Sequence, residues 1–481
     1  MANRRATNMI LALAIITLVA ACGGSSSNTN RVEDTGGIDA GGTPSATMSV
    51  GSITGFGSVI VNGVHHDTSQ AVITTDDQPA TEADLKVGQV VRISGTTSTS
   101  ATNIEKIEFD DDVEGPVQSI DRTAGSLVVL GQNVLTDGST VFDDNITPAS
   151  LDGINVDDFV EVSGFRNSSG DILASHIEMK PAGGEMEITG FISGLDTAAL
   201  TFMVGQLLVD YSAATVTDFP NGVLSNGDLI EAKGTQLGTN GELLATSVEF
   251  EDDDPAEDAE VEIEGLITRF VSATDFDVSN LPVTTNGQTV FEGGTAADLA
   301  LNVKIEAEGS IDAQGVLVAE KIEFKRATDT RIEALVDGVD AAAGRLVMLG
   351  ITVELTSSTS LEDDLNNLRQ FSINDINVGD WLEVRGGESS VTENVLVAVR
   401  VERDDPDNEA RIRGIAENVA APSFEILGLA VDTTAGTRFE NELDAVISDV
   451  DFFAAAEGRL VEAKGNLNGI RFAATEASLE D

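Results

Sequence analysis

The chain has 481 residues, which predicts about three to five domains and excludes a single core. Its 82 acidic and 27 basic residues give a formal charge of −55, which repels nucleic acid and anionic membrane surfaces. The 41% hydrophobic content excludes a wholly disordered acidic chain, while 4% aromatic residues and 47 glycines favour many small β domains.

The N-terminus has the form of an export signal. Two arginines precede the apolar run 9–21, which is too short to cross a bilayer comfortably. The run ends in Leu-Val-Ala-Ala-Cys22, which resembles a bacterial lipobox, and this resemblance implies that Cys22 is lipidated and then becomes the new N-terminus. Because Gly23 is not aspartate, the resemblance also implies sorting to the outer membrane. We therefore predict a signal peptide at 1–21, and the lipidated cysteine with a flexible Gly/Ser/Thr/Asn-rich tether at 22–50.

An internal repeat fills the remainder of the chain. An apolar-X-Gly-apolar opening recurs, with alanine replacing glycine once, and the steps between copies are 60 to 80 residues long. Such steps predict an array of small domains rather than a short-period solenoid. The third positions of the six openings are Gly55, Gly115, Gly190, Gly265, Ala334 and Gly414.

Each copy continues with the same predicted elements. A second strand ends near a glycine, and a third strand carries pairs such as Val141-Phe142. A short helix follows, with Thr81 and Thr295 as N-caps and Thr147-Pro148 placing proline at its first position. A fourth strand then ends in glycine and a fifth in glutamate, as in Val160 to Gly164 before Ile177-Glu178.

This order of strands and helix is that of the OB-fold, with a small antiparallel β-sandwich as the alternative. We predict an all-β protein with short helices, built as a tandem array of six small OB-like five-stranded barrels. The predicted boundaries of the six β repeats are 51–112, 113–183, 184–258, 259–329, 330–408 and 409–481.

The lipobox and the recurrent succession of a Val-Glu-Val-X-Gly strand and an Ile-Glu strand resemble a known group of proteins. These are bacterial lipoproteins that carry tandem copies of a small OB-like β domain of unknown function. The resemblance covers residues from about 52 to 481. The resemblance implies a fold and a cellular location but no mechanism.

Paired glutamates are the most informative candidate site. The midpoints between the fourth-strand and fifth-strand glutamates fall on turn sequences, so hairpin geometry predicts that these residues face each other. A solvated, aggregation-resistant face explains such pairs, and so does calcium, which takes six to eight oxygen ligands. The calcium candidates lie on the fourth strands and along the fifth strands: Glu161, Glu178, Glu231, Glu249, Glu251, Asp253, Glu306, Glu323, Glu383, Glu402 and Asp404.

Known catalytic and nucleic-acid-binding patterns are missing from the sequence. It contains no nucleophile elbow, zinc-protease helix or phosphate-binding loop, and three histidines leave little for catalysis. OB-folds that bind single strands need basic grooves and stacked aromatics, which this composition lacks. We expect a non-enzymatic envelope lipoprotein that serves as a spacer or binding array without a cofactor. Its N-terminal lipid would insert into the membrane, and its partner would be an envelope protein or a glycan. The alternatives are a calcium-stabilised adhesin-like stalk and a glycan hydrolase.

Overall fold

The computed structural model describes residues 45–98, 101–251, 255–325, 328–389, 392–443 and 445–480. Within these ranges β-strands dominate, and no helix is both long and apolar enough to cross a membrane. The predicted signal peptide, Cys22 and Asp253 lie outside the described residues.

The strands fall into six units, numbered 1 to 6 in chain order, and the first three contain strands β1 to β21. Unit 1 contains β1 to β7: Ser45–Gly55, Val59–Val61, Val64–His66, Val72–Thr75, Gln78–Ala80, Val90–Ser98 and Ala101–Phe109. Unit 2 contains β8 to β13: Val113–Asp121, Ser126–Val129, Gln132–Leu135, Val141–Phe142, Phe159–Arg166 and Ile172–Met179. Unit 3 contains β14 to β21: Met186–Phe191, Ser193–Asp196, Thr201–Val204, Leu207–Asp210, Thr215–Thr217, Leu229–Gly234, Leu243–Leu244 and Ser247–Phe250.

Units 4 to 6 contain strands β22 to β39. Unit 4 contains β22 to β27: Glu260–Ser272, Asp275–Val278, Leu281–Thr284, Val290–Glu292, Lys304–Ile311 and Leu317–Phe324. Unit 5 contains β28 to β32: Thr330–Asp340, Arg345–Met348, Ile351–Asp363, Trp381–Glu388 and Val395–Arg403. Unit 6 contains β33 to β39: Ala410–Ile415, Glu417–Ala420, Ser423–Ile426, Leu429–Asp432, Arg438–Glu440, Leu460–Asn468 and Arg471–Leu479.

The helical elements are short. The α-helix α1 is Asp449–Ala455, and Ser448 caps it by accepting a hydrogen bond from the Asp451 amide. The 3-10 helices are Glu82–Asp84, Leu151–Gly153, Pro220–Gly222, Ala341–Ala343 and Ile373–Asp375.

The strands of a unit close into a small barrel, as unit 2 illustrates. Its first strand β8 pairs antiparallel with β9 and with β12, and β12 pairs antiparallel with β13. The hairpin β9–β10 brings β10 parallel to β13 and completes the ring. This closed connectivity is that of an OB-like barrel, and the predicted all-β fold with tandem small barrels is confirmed. The ring of pairings is not complete in every copy: among the described residues β3 of unit 1 pairs only with β2, and the strands of unit 3 fall in two sheets.

The third strand of the barrel was placed wrongly by the sequence prediction. In unit 2 the strand after the second one is Gln132–Leu135, and it follows a two-residue turn at Leu130 and Gly131, whose φ angles are 45° and 71°. Two left-handed residues form the tight turn that suits a hairpin. The predicted pair Val141-Phe142 forms a separate short strand, which also runs parallel to β13. The recurrent glycine therefore marks a hairpin turn inside the barrel.

The glycine that ends each predicted fourth strand has a packing role. In units 1, 2, 4, 5 and 6 the pairing of the fourth and fifth strands shifts register at this glycine. A β-carbon on Gly309 would lie 2.1 Å from the carbonyl oxygen of Val318 on the fifth strand. A bulge brings the two backbones into close approach, which only glycine accommodates.

The predicted helix caps are confirmed in part. Thr81 and Asp84 form a capping box at Glu82–Asp84, and Thr295 makes the same side-chain contacts with Asp298 without a helix following. The prediction at Pro148 is wrong, because the 3-10 helix begins at Leu151 and Ser150 caps it instead.

The first strands join the units in pairs. Strand β8 pairs antiparallel with β14 and joins units 2 and 3, and β28 pairs antiparallel with β33 and joins units 5 and 6. Units 1 and 4 are joined by the parallel pairing of β1 with β22, in which Thr47 to Val50 face Glu260 to Ile263. Residues 45–50, which we predicted to be tether, therefore belong to a strand with neighbours on both sides.

The hydrophobic cores follow this pairing for units 2, 3, 5 and 6, whereas units 1 and 4 have separate clusters. Units 2 and 3 share one cluster of buried side chains, and units 5 and 6 share another. The largest fully buried side chains are phenylalanines: Phe109, Phe202, Phe276, Phe424, Phe452 and Phe472. Shared cores are expected because a unit of about 60 residues is close to the lower limit for independent stability.

Candidate functional site

The predicted glutamate pairs face each other across the fourth and fifth strands. The register confirms this arrangement in units 2 to 5, and it also confirms that Arg92 faces Glu108 in unit 1. In unit 6 the prediction is wrong, because Glu462 faces Ser478 rather than Glu480. In three units the facing pair becomes a row of three carboxylates, because a first-strand glutamate lies opposite the fourth-strand one. The facing pairs are Glu161 with Glu178, Glu231 with Glu249, Glu306 with Glu323, and Glu383 with Glu402.

The expectation that these glutamates form a solvated face is wrong. Glu161 and Glu306 are each only 1% exposed, Glu231 is 4% exposed and Glu402 is 9% exposed. Packing between units covers part of this face: strand β12, which carries Glu161, contacts β6 of unit 1 and β22 of unit 4. A charged group without water needs a counter-charge or a proton.

Lysine and arginine supply most of that counter-charge. Lys180 Nζ lies 2.5 Å from Glu161, Lys233 Nζ 2.9 Å from Glu231, and Lys325 Nζ 2.6 Å from Glu306. Glu323 contacts Lys321 and Lys325, Glu402 contacts Arg400, and Glu383 contacts Arg331 and Arg385. Many of these cations stand two residues from a glutamate of the row, on the same face of a strand. This spacing of a cation two residues from a glutamate is visible in the sequence and predicts the ion pairs.

The remaining calcium candidates have different surroundings. Glu178 contacts Lys86 of unit 1 at 2.8 Å, and Glu249 is half-buried beside Asp77. Burial raises the pKa of Glu251 to about 7, with the charges of Glu231 and Asp110 acting in the same direction. Asp404 is exposed. Calcium binding at the predicted pairs stays a prediction.

A further group of carboxylates meets where units 1, 2 and 3 come together, and sequence reasoning missed most of it. Asp76 lies in the turn between β4 and β5, Asp111 in the linker before β8, and Glu187 on β14; their carboxylate oxygens lie within 4.8 Å of one another. Asp111 also lies within that distance of Glu114 and Glu161. We call these five residues the three-unit carboxylate cluster.

Asp111 is the central member of this cluster. It is 1% exposed, and neither of its carboxylate oxygens has a hydrogen-bond partner within the described part of the chain. Burial raises the pKa of Asp111 well above its usual range, and the charges of Glu161 and Asp76 raise it further. Burial likewise raises the pKa of Glu114 to about 7, although Lys180 opposes the change. The cluster therefore holds more negative charge than its surroundings neutralise.

A comparable group in unit 2 is filled by a protein cation. Asp143, His176 and Glu178 bring their ligand atoms within 4.8 Å of one another. Lys86 of unit 1 enters this group, with its Nζ atom 2.5 Å from Asp143 and 2.8 Å from Glu178. His176 is buried beside it, and its Nδ1 atom lies 2.8 Å from the Val87 carbonyl oxygen. Here an ammonium group takes the position that an ion would take.

Comparison with protein families matches the chain to the model described as a domain of unknown function, DUF5666. Five segments match: residues 114–178, 189–249, 264–323, 331–402 and 413–477. Together they cover more than half of the sequence. The chain belongs to the DUF5666 family. No curated protein matches it.

The DUF5666 matches agree with the structural units. Each matched segment begins on the first strand of a unit and ends on its fifth, as residues 114–178 begin on β8 and end on β13. The predicted resemblance to tandem small β domains of unknown function is thus confirmed. Unit 1 lies outside the DUF5666 matches, although its strands β1, β6 and β7 repeat the pairing of the first, fourth and fifth strands.

A cleft of about 580 Å³ lies among DUF5666 units 2, 4 and 5 and unit 1. Ser360 of β30 lines it, and the buried hydroxyl oxygen of Ser360 has no hydrogen-bond partner within the described residues. Hydroxyl and amide side chains and charged groups of both signs line the cleft, including Ser52, Asn62, Ser175, Asn302, Lys304 and Arg400. Such a lining suits a small polar molecule.

Proposed function

We propose that the chain is a non-enzymatic lipoprotein of the bacterial outer membrane, anchored through Cys22, whose packed β units form a scaffold that binds an envelope glycan. The observation that best supports a packed scaffold is that units are joined through their first strands. These joined units include units 1 and 4, which are far apart in the sequence. Arg369 of unit 5 also lies over the ring of Phe56 in unit 1, 3.6 Å from its centroid. These contacts favour a packed scaffold over a stalk in which each unit touches only its sequence neighbours.

Two observations support binding without catalysis. The facing glutamates that would serve a glycan hydrolase are largely buried and bonded to lysine or arginine, so a substrate would have to displace those cations. The cleft offers hydroxyl and amide groups from several units, which are the partners that sugar hydroxyls use.

We expect soluble oligosaccharide fragments of envelope glycans to bind in the cleft and to be recovered intact. Saturation-transfer NMR on the purified protein measures contact, and chromatography of the recovered fragments measures cleavage. Glu292→Trp, at the edge of the cleft, should abolish the transfer, whereas Glu320→Trp, an exposed position that is not part of the cleft lining, should leave it unchanged. Equal transfer in both variants would place the binding elsewhere, and cleaved fragments would indicate a hydrolase.

The proposed anchor gives a separate prediction. Cys22→Ala should remove incorporation of labelled palmitate, because the thiol is the acylation point of a lipobox. Gly23→Asp should retain the label and move the protein to the inner membrane. Labelled Cys22→Ala protein in the membrane fraction would contradict the anchor.

A further inference from the structure

The three-unit carboxylate cluster has a charge that the described residues leave uncompensated at one point. Lys180 lies 2.5 Å from Glu161 on one side, and Lys233 lies 3.3 Å from Glu187 on the other. Asp111 stands between these two pairs, and within the described ranges no lysine or arginine contacts it. Five ionised carboxylates and two ammonium groups would carry a formal charge of −3 in an enclosed space.

Desolvation makes that arrangement costly in the absence of a further cation. An isolated carboxylate that is moved out of water loses its favourable solvation, and it takes up a proton or a cation instead. The group around Asp143 shows that this chain places a cation where carboxylates converge, because Lys86 fills it. At Asp111 both oxygens are buried without a partner, so the position that Lys86 takes elsewhere is open to a cation from solution.

The donor set selects the type of cation. Every group in the cluster is a carboxylate, and hard oxygen donors favour calcium or magnesium over zinc and copper. Within each of the two triads that share Asp111, one with Asp76 and Glu187 and the other with Glu114 and Glu161, the oxygens lie within 4.8 Å of one another. This spacing matches the width of a calcium shell, whose bonds are about 2.4 Å long. Magnesium has shorter bonds, of about 2.1 Å, and retains several waters, for which a closely packed group of carboxylates is less suited.

We propose that Asp111 is the central ligand of a calcium site in which it bridges Asp76 and Glu187 on one side and Glu114 and Glu161 on the other. These ligands come from a turn of unit 1, the linker, two strands of unit 2 and the first strand of unit 3. The ion therefore holds three units together and removes the repulsion at their junction. This inference goes beyond the proposed function, since it requires neither the lipid anchor nor a ligand in the cleft.

The test is calcium uptake by the purified, chelator-treated protein. We expect calorimetric titration with calcium chloride in physiological salt and excess magnesium to show saturable binding, and the thermal midpoint to rise by several degrees, because an ion that binds only the folded state stabilises it. Asp111→Asn should lose this uptake and the calcium-dependent rise. Without calcium, Asp111→Asn should melt at the same temperature as the unchanged protein or higher, since it removes a buried unpaired charge.

Asp143→Asn is the matched control. It alters a carboxylate of the lysine-filled group, so the calcium-dependent rise should persist in this variant even where its own midpoint falls. Absence of uptake by the unchanged protein would overturn the proposal. Equal uptake by Asp111→Asn and the unchanged protein would also overturn it, as would loss of uptake in Asp143→Asn while its circular dichroism stays native.

Discussion

Gly309→Ala is expected to destabilise the folded chain by about 3 kcal/mol, at the upper end of what overpacking costs. The added methyl group would lie 2.1 Å from the carbonyl oxygen of Val318, and a backbone atom held in a strand cannot rotate away as a side chain does. Because Gly309 sits at the bulge between the fourth and fifth strands of unit 4, relief of the clash would open the barrel. The measurement is the urea midpoint of the transition that includes unit 4.

Gly287→Ala is the control for this prediction. The same unit contains Gly287 in a loop, where an added β-carbon would meet no atom within 4 Å. This variant should therefore unfold at the same urea concentration as the unchanged protein, or slightly above it, since alanine restricts the unfolded chain. If Gly309→Ala were as stable as Gly287→Ala, the glycine signature of the fourth strand would need an explanation other than close approach.

Glu264→Ala should be the most damaging of the carboxylate substitutions, with an expected loss of about 3 to 5 kcal/mol. Glu264 is 6% exposed, and one of its oxygens lies 2.8 Å from Lys304 Nζ. Its other oxygen accepts hydrogen bonds from the backbone amide and the hydroxyl of Ser52, each 3.0 Å long, across the joint between units 1 and 4. Alanine would leave the Lys304 ammonium without its partner. Thermal unfolding of the variant measures the loss.

Two further measurements test this reading of Glu264. Burial opposes ionisation of this carboxyl, but the charges of Lys304 and Lys325 outweigh it and lower its pKa to about 2. Because the pKa of Glu264 is lower in the folded state than in the unfolded chain, its ionised carboxylate stabilises the folded state at pH values above the ordinary pKa. The difference in stability between the unchanged protein and Glu264→Ala should therefore shrink as pH falls towards 2. Asp432→Asn breaks an exposed ion pair with Arg471 and should cost less than about 1 kcal/mol. Equal losses in both variants would contradict the argument from burial.

Local features of the fold could be predicted from the sequence because each depends on residues close together in the chain. The facing of Glu161 and Glu178 follows from a turn at their midpoint, and the capping box of Thr81 follows from an acid three residues later. The third strand was misplaced because the Leu130-Gly131 turn leaves no loop before β10, so the prediction missed the strand that directly follows the glycine and assigned the third strand to Val141-Phe142.

The surroundings of the carboxylates could not be predicted in the same way. Whether Glu161 meets water depends on which other units pack against β12, and the periodicity of a single strand is the same in either case. The three-unit carboxylate cluster brings Asp76 and Glu187 together from different units, and no spacing in the sequence relates them. Their identity as partners is a property of the packing between units.

The central claim is that the units are joined through their first strands, and hydrogen–deuterium exchange at single residues tests it most directly. Strand β1 lies between β6 and β22, so amides along residues 47–50 that face either neighbour should exchange slowly, and so should those of 260–263 that face β1. The contrary result would be rapid exchange of the amides by which β1 and β22 face each other, while the amides that face β6 and β26 exchange slowly. That result would show that units 1 and 4 are separate.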